Sequence, residues 1–284
     1  MTLDRTLLSV RLSVGYPNKP DVLKNLSLDI RSGEIVGLVG ESGSGKTTLA
    51  MAILRLLDRK NATVVGEVLL EGENLFALSE TQLRAIRGRR ISVVLQSPLT
   101  SLNPALKIGT QLREAWRAHA RTNAQEALVA IREALQSVSL PSDGEFLSRR
   151  VSQLSVGQGQ RVTIAMAILH RPALLIADEA TSALDTITQS EILDLFRRLN
   201  KDLGMAILYI SHDLLSVAAL CRRVAILNQG EIVECDSPDV IFTAPRHVYT
   251  RRLVTALPAK PTLDESSAHA DSSVEGLIAA DIGS

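Results

Sequence analysis

The sequence predicts an α/β fold in which a parallel sheet is covered by helices on both faces, and three observations support this. Short apolar runs without polar alternation recur at 35–39, 174–177, 205–210 and 223–227, the pattern of strands buried on both sides. Segments of helical spacing separate them, at 48–54 and 188–203. The first apolar run leads straight into a Gly-rich loop, and that loop leads straight into a helix.

Along the chain, the first thirty residues alternate in the strand manner at 7–14 and 26–30, broken by the turn-like Pro17-Asn18-Lys19-Pro20. From Gln111 to about Val138 the period becomes helical. Leu112, Ala115 and Trp116 share one face, and Ala124, Ala127, Leu128, Ile131 and Leu135 continue the pattern. This stretch interrupts the strand–helix alternation and is expected to be a helical subdomain inserted into the core, over about 97–165. Gly204 is placed to close the helix at 188–203 as its C′ residue. The Ser/Asp/Ala/Gly-rich end, 259–284, is expected to be disordered.

The chain has 284 residues, enough for one large α/β domain or two small ones. Its 31 basic and 31 acidic residues balance, which argues against a globally basic nucleic-acid binder. Cys221 and Cys235 stand in no metal-ligand spacing and are expected to be reduced thiols. No apolar run approaches the ~18–20 residues that span a bilayer. The N-terminus lacks a basic region followed by an apolar block, so a cytosolic chain is expected.

Chemistry enters at Gly40-Glu41-Ser42-Gly43-Ser44-Gly45-Lys46-Thr47. The spacing G-x-x-x-x-G-K-[ST] lets successive N–H groups turn around a phosphate while the following helix, opening at Thr48, presents its positive end. Lys46 then reaches the β- and γ-phosphates, and the Thr47 hydroxyl is a natural Mg²⁺ ligand. Four fixed positions match by chance in a chain of this length about one time in a hundred. Further on, the strand 174–177 ends in Asp178 and Glu179. The first acid suits a place near Mg²⁺, and the second can polarise an attacking water as general base.

Leu154-Ser155-Val156-Gly157-Gln158, extended by Gln160 and Arg161, resembles the signature motif of ABC ATPases. Gln96 closes the strand 91–95, Ser182 to Asp185 forms a Ser-Ala-Leu-Asp turn past the acids, and His212 ends the strand 208–211. Tyr16 lies about thirty positions before Lys46, all in that family's order. The resemblance covers residues 5–258. It implies a P-loop NTPase core with an inserted helical subdomain and an antiparallel β subdomain, binding ATP and Mg²⁺. In catalysis it implies Lys46, Glu179 and His212. Around the nucleotide it adds Tyr16 on adenine, Gly40, Ser42, Gly43, Ser44, Gly45, Thr47, Thr48 and Gln96, and at the metal Thr47, Gln96 and Asp178. It further implies that two such domains close head to tail over two ATP molecules. Ser155 and the Gly157 N–H would then serve the partner's nucleotide, Gln158 and Asp185 would belong to the nucleotide-binding set, and closure would move membrane subunits.

Two stretches resemble the oligopeptide, dipeptide and nickel importer ATPases: Gln96-Ser97-Pro98-Leu99-Thr100-Ser101-Leu102-Asn103-Pro104, and the segment from Ile241 to Leu253 within an extension over about 238–258. That subclass implies a second, non-identical ATPase subunit, two transmembrane permeases, an extracytoplasmic solute-binding protein acting indirectly, and a place on the cytoplasmic face of the membrane. A non-transport ABC ATPase of DNA repair or translation is a rival reading, as is a regulatory subunit that hydrolyses weakly. The sequence departs from the family at three points. Val156 stands where the signature usually has glycine, and a β-branched residue there is expected to resist positive φ and slow the site it completes. Ala180 replaces a common proline, with a mild effect expected. The cysteines that hold an iron–sulfur cluster in many relatives are absent from the C-terminal stretch, so no cluster is expected.

Overall fold

The computed structural model describes residues 5–57, 61–120 and 123–257; the C-terminal stretch 259–284 lies outside them. Two sheets organise the chain. The first is four-stranded and antiparallel, in the order β2-β1-β4-β5, from β1 (Thr6–Tyr16), β2 (Lys19–Arg31), β4 (Thr63–Leu70) and β5 (Glu73–Asn74). The turn between β1 and β2 is tighter than the sequence suggests. Only Pro17 and Asn18 form it, and Pro20 already lies in β2.

The second sheet has six strands in the order β10-β9-β3-β8-β7-β6. These are β3 (Ile35–Val39), β6 (Ile91–Val94), β7 (Leu174–Asp178), β8 (Ala206–Ser211), β9 (Arg223–Asn228) and β10 (Glu231–Asp236). The first five run parallel, as expected; β10 adds an antiparallel edge that the sequence did not announce. Register aligns Val39 with Ser211, Ile210 with Asp178 and Ala177 with Val94. The strands therefore finish at one level, and the loops beginning at Gly40, Glu179, His212 and Leu95 leave from the same edge, where ligands of parallel sheets are bound.

Between β6 and β7, the described residues form five α-helices: α3 (Pro98–Ser101), α4 (Ile108–Arg117), α5 (Ala124–Ser137), α6 (Gly144–Ser148) and α7 (Val156–Ile168). The single helical run read from Gln111 to Val138 is thus two helices. Asn123 starts the second by accepting a hydrogen bond from the Glu126 N–H, a cap that replaces a missing intrahelical partner. The other helices are α1 (Lys46–Ile53), α2 (Glu80–Ile86), α8 (Thr186–Leu203), α9 (Leu214–Leu220), α10 (Pro238–Thr243) and α11 (Val248–Thr255). Gly204 ends α8 with φ 67°, as its placement predicts.

Strand alternation divides the interior in two. Val36, Leu38, Ile176, Leu208 and Ile210 face a core shared with α1 and the antiparallel sheet. Val39, Leu175, Ile207, Tyr209 and Ile226 face a core shared with α8, α9 and the helices α4–α7. Both sets are buried, which is why these strands read as unbroken apolar runs.

Candidate functional site

The loop from Gly40 to Gly45 is shaped by glycines that no other residue can replace at two points. A Cβ on Gly40 would stand 2.3 Å from the Leu227 carbonyl oxygen. Gly45, at φ 110°, would place one 2.6 Å from a Leu23 methyl and occupies backbone space that side chains avoid. The loop wraps back on itself, the Ser44 N–H donating to the Glu41 carbonyl at 3.2 Å. Lys46 opens α1 and is buried. Its ammonium donates to the carbonyls of Gly40 at 2.7 Å and Glu41 at 3.1 Å, which holds the charge at the mouth of the loop. The Ser44 hydroxyl is buried without a protein partner, a polar group of the kind a phosphate oxygen satisfies.

Asp178 closes β7 and is also buried. Burial pushes its carboxyl above the ordinary range, opposed by a hydrogen bond from the Thr47 side chain, while the neighbouring Glu179 adds to the rise and Lys46 opposes it. Its Oδ1 has no partner. A buried carboxylate with a free oxygen, next to the Thr47 hydroxyl, is a donor set suited to a hard divalent cation such as Mg²⁺. Glu179 follows in the left-handed region, φ 51°, its N–H tied to the Ile210 carbonyl at 2.9 Å. Its carboxylate stands between two basic groups: Oε2 lies 2.8 Å from His212 Nδ1, and Oε1 lies 3.8 Å from Lys46 Nζ.

A buried polar chain that sequence reading missed holds these loops together. The Thr181 hydroxyl meets the Tyr209 hydroxyl at 2.8 Å, Tyr209 reaches Ser216 at 3.3 Å, and Ser216 donates to the Asp213 carbonyl. It joins the turn after Glu179 to β8 and to the start of α9, so His212 and Glu179 sit on a common support.

Around Lys46, Glu179 and His212 lies a cleft of about 780 Å³. It gathers Tyr16, Gly40, Ser42, Gly43, Gly45, Lys46, Thr47, Thr48, Gln96, Glu179 and His212. Glu41, Lys19, Val22 and Leu253 also line it, although the sequence did not single them out for this place. Glu41 was visible as a free position of the loop; Leu253 carried no signal beyond helical spacing.

Of the expected residues, Ser44 and Asp178 are buried and do not line the cleft, and four others stand elsewhere. Ser155 caps α7, its hydroxyl accepting from the Gln158 N–H while the Gln158 side chain accepts from the Ser155 N–H, both at 3.1 Å. Asp185 caps α8, accepting from the N–H groups of Ile187 and Thr188 and the Thr188 hydroxyl. The Thr188 N–H and hydroxyl are the largest influences keeping its carboxyl below the usual range. A Cβ on Gly157 would lie 2.9 Å from the Thr188 methyl, so the start of α7 and the turn at Asp185 form a second cluster away from the cleft. One expectation is corrected here. Val156 does not adopt positive φ; it is the first residue of α7, where a β-branched side chain fits, and it is exposed.

The fold and this cleft define a P-loop ATPase domain. Residues 23–182, more than half the chain, match the family model described as ABC transporter, and the chain belongs to that family. It is 41% identical over 281 residues to the glutathione import ATP-binding protein GsiA of Salmonella choleraesuis, covering 90% of this chain and 45% of the relative. It is 42% identical over 247 residues to the GsiA of Escherichia coli O1:K1, covering 85% and 40%. The chain thus spans less than half the length of these relatives. Among solved structures, it resembles a dimeric ATP-binding cassette in a post-hydrolysis state bound to ADP and Pi. There the TM-score is 0.70 and the identity 28%, over 81% of this chain and 98% of that one. It also resembles cbiO1 of Clostridium perfringens, part of an ABC transporter complex, with TM-score 0.74 and 25% identity over 90% and 97%.

Proposed function

We propose that this chain is the ATP-binding and ATP-hydrolysing subunit of an ABC importer, and that it couples nucleotide-driven closure with a second ATPase domain to uptake of a peptide or a related small solute. The observation that carries the reading is the convergence of Lys46, Glu179 and His212 on one cleft behind a phosphate-shaped loop, with Asp178 buried beside Thr47. Likeness to glutathione import proteins favours a peptide-like solute over nickel.

Thr47, Asp178 and Gln96 would hold Mg²⁺, which neutralises phosphate charge when bound. The loop N–H groups and α1 receive the phosphates, and Lys46 turns its ammonium from the Gly40 and Glu41 carbonyls toward them. Glu179 takes the proton of the attacking water as general base. His212, bonded to the same carboxylate, holds its orientation and contacts the γ-phosphate. Tyr16 offers a ring to the adenine. Ser155, whose oxygen is used as a cap, keeps its proton to donate to the partner's nucleotide, alongside the Gly157 N–H. Among the described residues no helix is long and apolar enough to cross a membrane, so attachment to the cytoplasmic face would come through two permease subunits.

Co-purification of the tagged chain from its host tests the assembly. Two multi-span membrane proteins and a second ATPase are expected; ribosomal or DNA-repair components alone would overturn the transporter reading.

A further inference from the structure

The C-terminal helix α11 reaches the phosphate loop. Tyr249 and Leu253 are four residues apart and share one face of it. The hydroxyl of Tyr249, a largely buried side chain, accepts a hydrogen bond from the Glu41 N–H at 3.2 Å. Leu253, one turn on, is a wall of the cleft itself. The Gly40–Glu41 peptide is not a passive contact, because its carbonyl, that of Gly40, accepts from the Lys46 ammonium at 2.7 Å, and the next carbonyl, that of Glu41, accepts from Lys46 and the Ser44 N–H. The N–H of this peptide is therefore tied to Tyr249 and its carbonyl to the lysine that meets the phosphates. The helix is itself anchored. Glu234 on β10 accepts from the N–H groups of Arg246 and His247 at 2.8 and 3.1 Å, and the His247 ring accepts from the Tyr249 N–H at 3.2 Å.

We infer that Tyr249 is a positioning residue for the nucleotide site, through which the C-terminal helix sets the Gly40–Glu41 peptide and thereby the affinity for the polyphosphate of ATP. The inference rests on the ATP reading of the cleft. Nothing but a phenol oxygen is needed for the contact, so Tyr249→Phe removes the acceptor while leaving the ring packed. Glu234→Gln weakens the anchor from outside the cleft.

The test is calorimetric titration of ATP with Mg²⁺ into the full chain, wild type against Tyr249→Phe, Glu234→Gln and Lys46→Ala, with thermal melts of each protein without nucleotide. Tyr249→Phe is expected to weaken ATP binding about three- to ten-fold, the worth of one hydrogen bond, with its melting temperature held within about 2 °C. Glu234→Gln should act in the same direction and less. In turnover assays KM for ATP should rise by the same factor while kcat holds within two-fold. ATP affinity unchanged in Tyr249→Phe, beside loss of binding in Lys46→Ala, would overturn the positioning role alone. Equal behaviour of wild type and Lys46→Ala would overturn the ATP reading, and this inference with it. Weakened binding seen only with a marked fall in melting temperature in both variants would also overturn it, reducing Tyr249 to a packing residue.

Discussion

Asp178 and Glu179 are adjacent in the chain and meet opposite conditions. The first lies under the loop with one oxygen unpaired and its carboxyl pushed up by burial; the second stands between an ammonium and an imidazole. A carboxyl whose affinity for the proton is raised by folding costs stability once it ionises. That cost is missing below the unfolded pKa and fully present above the folded one. Asp178→Asn should therefore raise the melting temperature of the nucleotide-free chain at neutral pH. The gain should shrink as the pH falls toward the ordinary carboxylate range, and Mg²⁺-dependent ATP binding should weaken; melting curves at pH 7 and pH 4 check the sign. Glu179→Gln should leave ATP binding intact and lower hydrolysis about 10²–10⁴-fold, the usual worth of a general base, as phosphate release would show. A variant as active as wild type would remove Glu179 from that role. These acids were legible because an apolar strand runs directly into them. Tyr249 was not, because its contact with Glu41 spans 208 residues and leaves no local trace.

At the scale of elements, the parallel strands were readable because burial on both faces leaves no polar positions in them. β10 was not, since half-exposed positions run along its whole length and give no apolar run. The break between α4 and α5 was hidden because apolar spacing resumes after it, and only the Asn123 cap marks the restart. The phosphate loop was legible down to its glycines, and they set a prediction. Gly45→Ala should cost more than about 1 kcal/mol, because its φ of 110° and the Leu23 methyl both oppose a Cβ. Denaturant titration would measure that cost, and ATP binding should fall in parallel. The polar chain through Tyr209 makes a second case. Tyr209→Phe removes the hydroxyl that joins Thr181 to Ser216 and leaves a buried Thr181 oxygen without its partner. It should cost about 1–3 kcal/mol and slow hydrolysis through the shared support of Glu179 and His212, with KM for ATP little changed.

In the molecule as a whole, the six-stranded sheet serves two interiors. Any large side chain on β8 belongs wholly to one of them: Leu208 to the core under α1, Tyr209 to the core under α8 and α9. Removing a side chain is then a local injury. Leu208→Ala should cost about 2–5 kcal/mol and spare the opposite core. Adding one residue within β8 is a different event, for strand period makes every later side chain change sides at once. Leu208 and Tyr209 would trade places, the tyrosine hydroxyl would enter an apolar interior, and the loop bearing His212 would leave the sheet edge out of step with Glu179. Such an insertion should abolish the cooperative melting transition followed by circular dichroism, whereas the same residue added between Gly72 and Glu73, in the exposed turn before β5, should be tolerated. The lineage of such a chain is thereby constrained in its grammar: its central strands accept spelling changes one letter at a time, and length can drift only where the chain turns in water.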